Sequence, residues 1–189
     1  MSGDSVSRLV VLSGPAGVGK STVVGRLRAE VPDLYFSVSM TTRAPRPGEV
    51  DGEDYFFVDR EEFDRRIAAG DMLEWADIHG GLQRSGTPRQ PVEEALAAGR
   101  PVLVEVDLAG ARSIRAASPE AHLLFLAPPS WDILVERLTG RGTESEEHIK
   151  RRLETARTEM DAMDEFDQKV VNEDIDQAVA EITAALLGK

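Results

Sequence analysis

The fold of this 189-residue chain is decided by the stretch Leu9-Val10-Val11-Leu12-Ser13-Gly14-Pro15-Ala16-Gly17-Val18-Gly19-Lys20-Ser21-Thr22. An apolar strand pattern leads into G-x-x-x-x-G-K-S, and a helical pattern follows, which is the context a phosphate-binding loop requires. Its glycines let backbone N–H groups converge on an anion, and the start of the helix adds partial positive charge. We therefore expect the residues from Gly14 to Thr22 to bind a nucleoside triphosphate such as ATP, with Lys20 on the β- and γ-phosphates and Ser21 on Mg²⁺.

Outward from this loop, short β-branched runs alternate with helical patterns, which indicates a parallel sheet flanked by helices. The predicted strands are Leu9–Leu12, Tyr35–Val38, Val102–Val106, His122–Leu126 and Lys169–Val171. The predicted helices are Ser21–Glu30, Leu108–Ala117, Ser130–Leu138, Ser145–Met163 and Ile175–Leu187. Ser130 is a candidate N-cap, and Thr143 with Glu146 has the spacing of a capping box.

Composition excludes several classes of protein. The chain has no cysteine, so it holds no disulfide and no thiolate-bound metal, which fits a cytoplasmic protein. No apolar run approaches the ~20 residues of a membrane helix, and the start, Met1–Val6, lacks the pattern of an export signal. A net charge of −12 disfavours nucleic acid as a partner.

The loop alone does not specify the reaction, because unrelated activities share it. A GTPase is one alternative, since Asp107-Leu108-Ala109-Gly110 matches the DxxG of a GTPase switch. However, the chain contains no Asn-Lys-x-Asp, the usual guanine-reading motif of that class.

The regular alternation breaks in an irregular stretch from about Met40 to Ala98. There we expect a loop at Thr41–Asp54, a helix at Glu61–Ala69 and strands near Tyr55–Val58 and Met72–Ile78. The segment at the start of this stretch is more specific than the phosphate-binding loop. It reads Ser37-Val38-Ser39-Met40-Thr41-Thr42-Arg43-Ala44-Pro45-Arg46-Pro47-Gly48-Glu49, followed by Asp51-Gly52-Glu53-Asp54-Tyr55-Phe56-Phe57. Two arginines stiffened by prolines suit bidentate contacts to phosphate. This segment resembles the guanylate kinase family, as do Leu73-Glu74-Trp75-Ala76, Val104-Glu105-Val106-Asp107, Arg137-Leu138-Thr139-Gly140-Arg141-Gly142-Thr143-Glu144 and Val171-Asn172.

The resemblance implies the residues that bind GMP. Arg43, Arg46 and Tyr55 would hold its phosphate, and the residues expected around guanine are Ser39, Glu74, Thr87 and Asp107, with Glu105 beside them. Residue chemistry supports placing Glu74 and Asp107 at the base, because guanine presents N1–H and N2–H donors and an ionised carboxylate only accepts hydrogen bonds. Adenine would leave these carboxylates unpaired, so AMP should be rejected.

One departure from the family concerns the stretch Gly80-Gly81-Leu82-Gln83-Arg84-Ser85-Gly86-Thr87. Guanylate kinases usually carry G-N-x-Y-G-T here, and Ser85 stands where their phosphate-binding tyrosine is expected. Either Arg84 or Ser85 takes over that contact, or the loop is a tolerated variant without ligand contact; the sequence leaves these alternatives open.

The resemblance also implies a lid whose arginines Arg137, Arg141 and Arg152 close over ATP and neutralise the transferring phosphoryl group. Because a monophosphate is largely dianionic near neutral pH, no general base is required. The three histidines, His79, His122 and His148, are scattered and are expected to be structural or exposed. On the adenine side, Asn172 is the one candidate.

These observations predict an ATP-dependent GMP kinase that also uses dGMP. The expected fold is a P-loop α/β core of residues 1–38, 99–139 and 156–189, a mixed α/β GMP-binding insertion at 39–98 and a lid at 140–155. The expected partners are ATP and GMP, with no membrane or nucleic acid, and the chain is a monomer or a homodimer. Besides the GTPase, the alternative is a guanylate-kinase-like module that binds phosphorylated peptides and lacks catalysis.

Overall fold

A computed structural model of the chain describes residues 8–78, 80–140 and 145–189. The strands among these residues are β1 (Leu9–Ser13), β2 (Tyr35–Phe36), β3 (Met40–Thr41), β4 (Phe56–Phe57), β5 (Met72–Ile78), β6 (Gln83–Pro88), β7 (Val102–Glu105), β8 (His122–Ala127) and β9 (Gln168–Val171). The α-helices are α1 (Lys20–Glu30), α2 (Arg60–Ala68), α3 (Arg89–Ala97), α4 (Leu108–Ala117), α5 (Trp131–Thr139), α6 (Glu146–Asp161) and α7 (Ile175–Leu186).

The core is a five-stranded sheet in the order β2-β7-β1-β8-β9, and every neighbouring pair in it is parallel. Strand β1 lies at its centre and is buried over its whole length. Side chains alternate across a strand, so Val10 and Leu12 pack on one face with α1 and α7, while Leu9 and Val11 pack on the other with α3 and α4. The predicted α/β fold with helices on both faces of a parallel sheet is confirmed.

The predicted core elements are present with ends that differ by at most two residues. Helix α4 has the predicted bounds, and Ser130 caps α5 by accepting a hydrogen bond from the Ile133 N–H. Helix α6 ends at Asp161, where a short 3₁₀ turn (Met163–Glu165) replaces the last predicted turn. The expected capping box at its start is wrong: Ser145 is the N-cap and accepts from the His148 N–H, while Thr143 lies outside the described residues.

The insertion contains a second, mixed sheet in the order β4-β3-β6-β5. Strand β5 has the predicted bounds, and α2 begins one residue before the prediction because Asp59 caps it. The sequence patterns missed β3, β6 and α3. Strand β6 is polar and contains Gly86 and Pro88, so its antiparallel pairing with β5 forms the strand where intrinsic propensity does not.

A small apolar cluster stabilises the insertion from within. Phe63 of α2 is fully buried and packs with Met40 and Met72. Helix α3 packs instead on the core sheet, where Val92 and Ala95 join the cluster of Leu9 and Val11. The insertion is therefore attached to the core through α3 and through Leu73 of β5, which joins the same cluster.

Candidate active site

The carboxyl ends of the parallel strands place the predicted residues at one edge of the core sheet, where ligands of such sheets bind. Strand β1 leads into the phosphate loop, β7 ends at Glu105 just before Asp107, and β2 is followed by Ser37 and Ser39. Strand β9 is followed directly by Asn172. Residues as far apart in the sequence as Val18 and Asn172, 154 positions from each other, thus share one edge.

Two glycines of the loop are required by its geometry. Gly14 has φ +155°, and a Cβ there would lie 2.4 Å from the Leu126 carbonyl oxygen. Gly19 has φ +100°, and a Cβ there would lie 2.6 Å from Nδ2 of Asn172. The loop therefore packs directly against the end of β8 and against Asn172, which leaves no room for side chains at these positions.

Lys20 begins α1, and its ammonium group closes the loop by donating to the Gly14 carbonyl and, at 3.2 Å, to the Pro15 carbonyl. Burial lowers the pKa of Lys20, and the nearby carboxylates Glu105, Glu159 and Asp107 oppose that shift. Glu159 lies on α6, half-buried, and its own pKa is raised by burial. Lys20 is thus surrounded by three carboxylates from separate elements: Glu105 at the end of β7, Asp107 before α4 and Glu159 on α6.

The acceptor side contains a cavity of about 430 Å³ between β5, β6 and the end of β7. Its polar lining includes Ser39, Tyr55, Glu74, Ser85, Glu105 and Asp107. The carboxylates predicted to read guanine therefore face one space together with Ser39, and Tyr55 from the phosphate set lies at its wall.

Two hydrogen bonds orient the predicted guanine-reading carboxylates. Thr87 is fully buried behind Glu74, and its hydroxyl donates to Glu74 Oε1 at 2.7 Å. Burial raises the pKa of Glu74, against the effect of that hydrogen bond, and the negative charge of Asp107 raises it further. Asp107 Oδ1 accepts from the Gly110 N–H at 2.8 Å as the N-cap of α4. The DxxG pattern is therefore explained here as the start of a helix.

Arg43 is held rigidly beside this cavity. Its guanidinium forms a bidentate ion pair with Glu49, with distances of 2.7 Å for Nη1–Oε2 and 2.6 Å for Nη2–Oε1, and lies 4.7 Å from the ring centroid of Tyr55. The Arg46 N–H also donates to Glu49, at 2.7 Å. These contacts lower the pKa of Glu49 from 4.5 to about 2, with the Arg43 hydrogen bond the largest cause. Glu49 thus holds the guanidinium of Arg43 and the backbone of Arg46.

A second cavity, of about 410 Å³, joins the loop to the acceptor side. It is lined by Ser21 at the start of α1 and shares Ser39, Tyr55 and Glu105 with the first cavity. One cleft therefore extends from the phosphate loop to Glu74. The sequence patterns missed Arg28, which lines this cavity, although it follows Ser21 by seven residues and so lies on the same face of α1.

The oxygen donors beside Lys20 suit a hard divalent cation. Ser21 offers a hydroxyl and Glu105 a carboxylate in the same cavity. Among the described residues, no three His, Cys, Asp or Glu side chains come together as a metal site. This donor set fits Mg²⁺, which usually keeps its waters and is held by few protein ligands together with substrate phosphates.

Arg84 and Ser85, the two candidates for the missing tyrosine, point to opposite faces of β6, because side chains alternate along a strand. Ser85 lines the acceptor cavity. Arg84 does not line that cavity; it is ion-paired to Asp64 and to Asp77 and lies 5.3 Å from the ring centroid of Trp75. Ser85 is therefore the one of the two that faces the acceptor cavity.

The lid arginines lie near the loop to different extents. Arg137 of α5 is exposed and donates to the Val18 carbonyl at 3.4 Å, and Arg152 lies on α6. Arg141 and His79 are outside the described residues. His122 contacts Gln168 and His148 is exposed, as expected of structural or surface residues.

None of the helices the structure describes is long and apolar enough to cross a membrane.

Comparisons with known proteins agree with this geometry. The family model "Guanylate kinase" matches residues 6–188. The chain is 69% identical over 190 residues to a guanylate kinase from Corynebacterium diphtheriae, covering 100% of both chains. It is 60% identical over 184 residues to one from Mycobacterium bovis, covering 97% of this chain and 88% of that protein.

Solved structures agree as well. The crystal structure of guanylate kinase from Anaplasma phagocytophilum superposes with a TM-score of 0.74 at 33% identity, covering 96% of this chain and 85% of that one. A shikimate kinase from Bacteroides thetaiotaomicron, at 14% identity and a TM-score of 0.50, shares the fold alone. The family model matches nearly the whole chain, the sequence is 60–69% identical to these relatives, and one cleft joins the phosphate loop to the acceptor cavity. The chain belongs to the guanylate kinase family.

Proposed function

We propose that this chain transfers the γ-phosphoryl group of ATP to GMP, and also to dGMP, and releases ADP and GDP. The observation that carries the proposal is the single cleft in which the phosphate loop faces a cavity lined by Glu74 and Asp107. The curated relatives named guanylate kinase support the same activity.

The acceptor base is selected by the paired carboxylates. Glu74 has one oxygen engaged by Thr87, which leaves the other to accept from guanine, and Asp107 has one oxygen left after capping α4. Guanine fills these acceptors with its N1–H and N2–H groups, and Ser39 donates to O6. Adenine presents an acceptor at N1, so bound AMP would leave buried carboxylate oxygens unpaired.

The acceptor phosphate is held by Arg43, Arg46 and Tyr55, with Ser85 in the place of the second tyrosine. Because Glu49 fixes Arg43 before substrate arrives, little side-chain entropy is lost on binding. The phosphate reaches the reaction as a dianion, so the protein aligns the two polyanions and cancels their repulsion. Lys20 supplies that charge from the loop, Arg137 supplies it from α5, and Arg141 and Arg152 supply it from the lid.

Ser21 would hold Mg²⁺, with Glu105 assisting, and the metal would supply charge neutralisation for the phosphates of ATP. Glu105 and Asp107 also lie near Lys20, so acidic groups surround its ammonium group. We further propose that residues 39–98 form the GMP-binding insertion and that residues 140–155 form a lid, whose closure over ATP excludes water during transfer.

The test is a coupled assay of ADP release with GMP, dGMP, AMP or no acceptor. We expect turnover with GMP and dGMP only. ADP release without an acceptor would indicate a nucleotide hydrolase such as a GTPase-like protein. No release with GMP, combined with binding of phosphorylated peptides, would favour the non-catalytic module.

A further inference from the structure

Asn172 is fixed in the fold before any ligand binds. It follows the last residue of β9, and its backbone N–H donates to the Ala127 carbonyl at 2.8 Å, which extends the parallel pairing of β8 and β9. Two residues later, Asp174 caps α7 by accepting from the Gln177 N–H. The side chain of Asn172 therefore starts from a backbone anchored on both sides.

From this anchor the amide of Asn172 reaches the phosphate loop. Its Nδ2 donates to the Val18 carbonyl at 2.8 Å, across 154 residues of sequence. Nδ2 also lies only 2.6 Å from the place where the Cβ of a side chain at Gly19 would be. The Asn172 amide therefore packs closely against the peptide unit between Val18 and Gly19.

This contact sets the direction of a loop N–H group. In a planar trans peptide the C=O and the following N–H point in opposite directions. Because Asn172 holds the Val18 oxygen on its own side, the Gly19 N–H points away from Asn172. Arg137 donates to the same oxygen at 3.4 Å, so α5 reinforces the orientation.

We infer that Asn172 is a positioning residue for the phosphate loop, which presets the Gly19 N–H for the phosphates of ATP by holding the Val18 carbonyl. This role differs from contact with adenine, because it operates in the free protein. It rests on the proposed function only in taking ATP as the ligand of the loop.

The experiment measures backbone order parameters of Val18, Gly19 and Lys20 by NMR in the ligand-free protein. We expect rigid values of about 0.85 in the wild type and a fall below about 0.6 in Asn172→Ala. Asn172→Asp keeps the side-chain volume but replaces the donor with an acceptor, so it should produce the same fall. Glu173→Ala, at the adjacent exposed position, is the matched control and should leave the values unchanged.

Kinetics provide a second readout. Loss of one hydrogen bond predicts about a fivefold rise in the KM for ATP in both Asn172 variants, with the KM for GMP unchanged. The order parameters of Val10–Leu12 in β1 report whether each variant is folded. Unchanged loop order parameters would overturn the inference, even with a raised KM for ATP, since Asn172 would then act on the nucleotide itself. The NMR result stands whether or not the chain phosphorylates GMP.

Discussion

Replacing Glu74 by Gln should weaken GMP phosphorylation while stabilising the free protein. With Oε1 held by Thr87, the second oxygen is the one left for guanine, so the loss is about one charge-assisted hydrogen bond. Such a bond contributes about 1.5–3 kcal/mol. At about 1.4 kcal/mol per factor of ten, this predicts a loss of about 10- to 140-fold in kcat/KM for GMP.

Specificity should change in the same variant. A glutamine amide offers both a donor and an acceptor, which match N1 and the 6-amino group of adenine, so the ratio of GMP to AMP turnover should fall. The coupled assay with each acceptor measures this ratio. Glu61→Gln removes an equal charge from the exposed first turn of α2 and serves as the control. A ratio that changes by less than about twofold would refute the assignment of Glu74 to the base, given the size of one such bond.

The stability of the same variant depends on pH with a definite sign. Burial raises the pKa of Glu74 in the folded protein above its value in the unfolded chain. Ionising this buried carboxyl therefore lowers the free energy of unfolding, and the full loss is reached above the pKa of the folded protein. Glu74→Gln should therefore melt at a higher temperature at pH 7. The difference should shrink as the pH falls and the wild-type carboxyl becomes protonated. A lower melting temperature at pH 7 would contradict the reasoning.

Three further predictions follow from the cleft. Lys20→Ala should lower kcat by about 10²–10³ with GMP affinity retained by calorimetry, since it removes a charge preset for the transferring group; an unchanged kcat would contradict its assignment. Glu49→Gln should raise the KM for GMP by releasing Arg43. The ionised Glu49 also stabilises the folded protein fully above pH 4.5, and this stabilisation is lost as the pH falls toward 2. Denaturation of both proteins at several pH values should show that the variant lacks this pH dependence. Ser85→Ala should raise the KM for GMP without lowering the melting temperature. Arg84→Ala should lower the melting temperature without changing that KM, because Arg84 pairs with Asp64 and Asp77. If neither variant changed the KM, the missing tyrosine would have no replacement on β6.

The sequence predicts the core sheet well because its central strands, β1, β7 and β8, are buried along most of their length and are therefore mostly apolar. Strand β1 is buried at all five positions, and its context with the glycine loop leaves few alternative folds. The insertion is less predictable. Strand β3 has only two residues, and β6 contains Gly86 and Pro88, so both depend on tertiary pairing rather than on a local pattern.

The site shows the same distinction. Motifs identify Lys20 and Arg43, whose chemistry is visible in residue type and spacing, whereas Glu74 is implied only by the resemblance to the guanylate kinase family. They do not reveal Glu159, which approaches Lys20 only because α6 folds back over the loop. They also do not reveal that Asn172 bonds to Val18, since this contact depends on the alignment of β9 with β8.

The most direct test of the central claim follows the fate of the γ-phosphoryl group. The chain is incubated with GMP and ATP labelled at the γ-phosphate, and the products are separated. Our account predicts that the label appears in GDP, in an amount equal to the ADP formed and with little free phosphate. Label recovered as inorganic phosphate, or retained in ATP while GMP is bound, would contradict it.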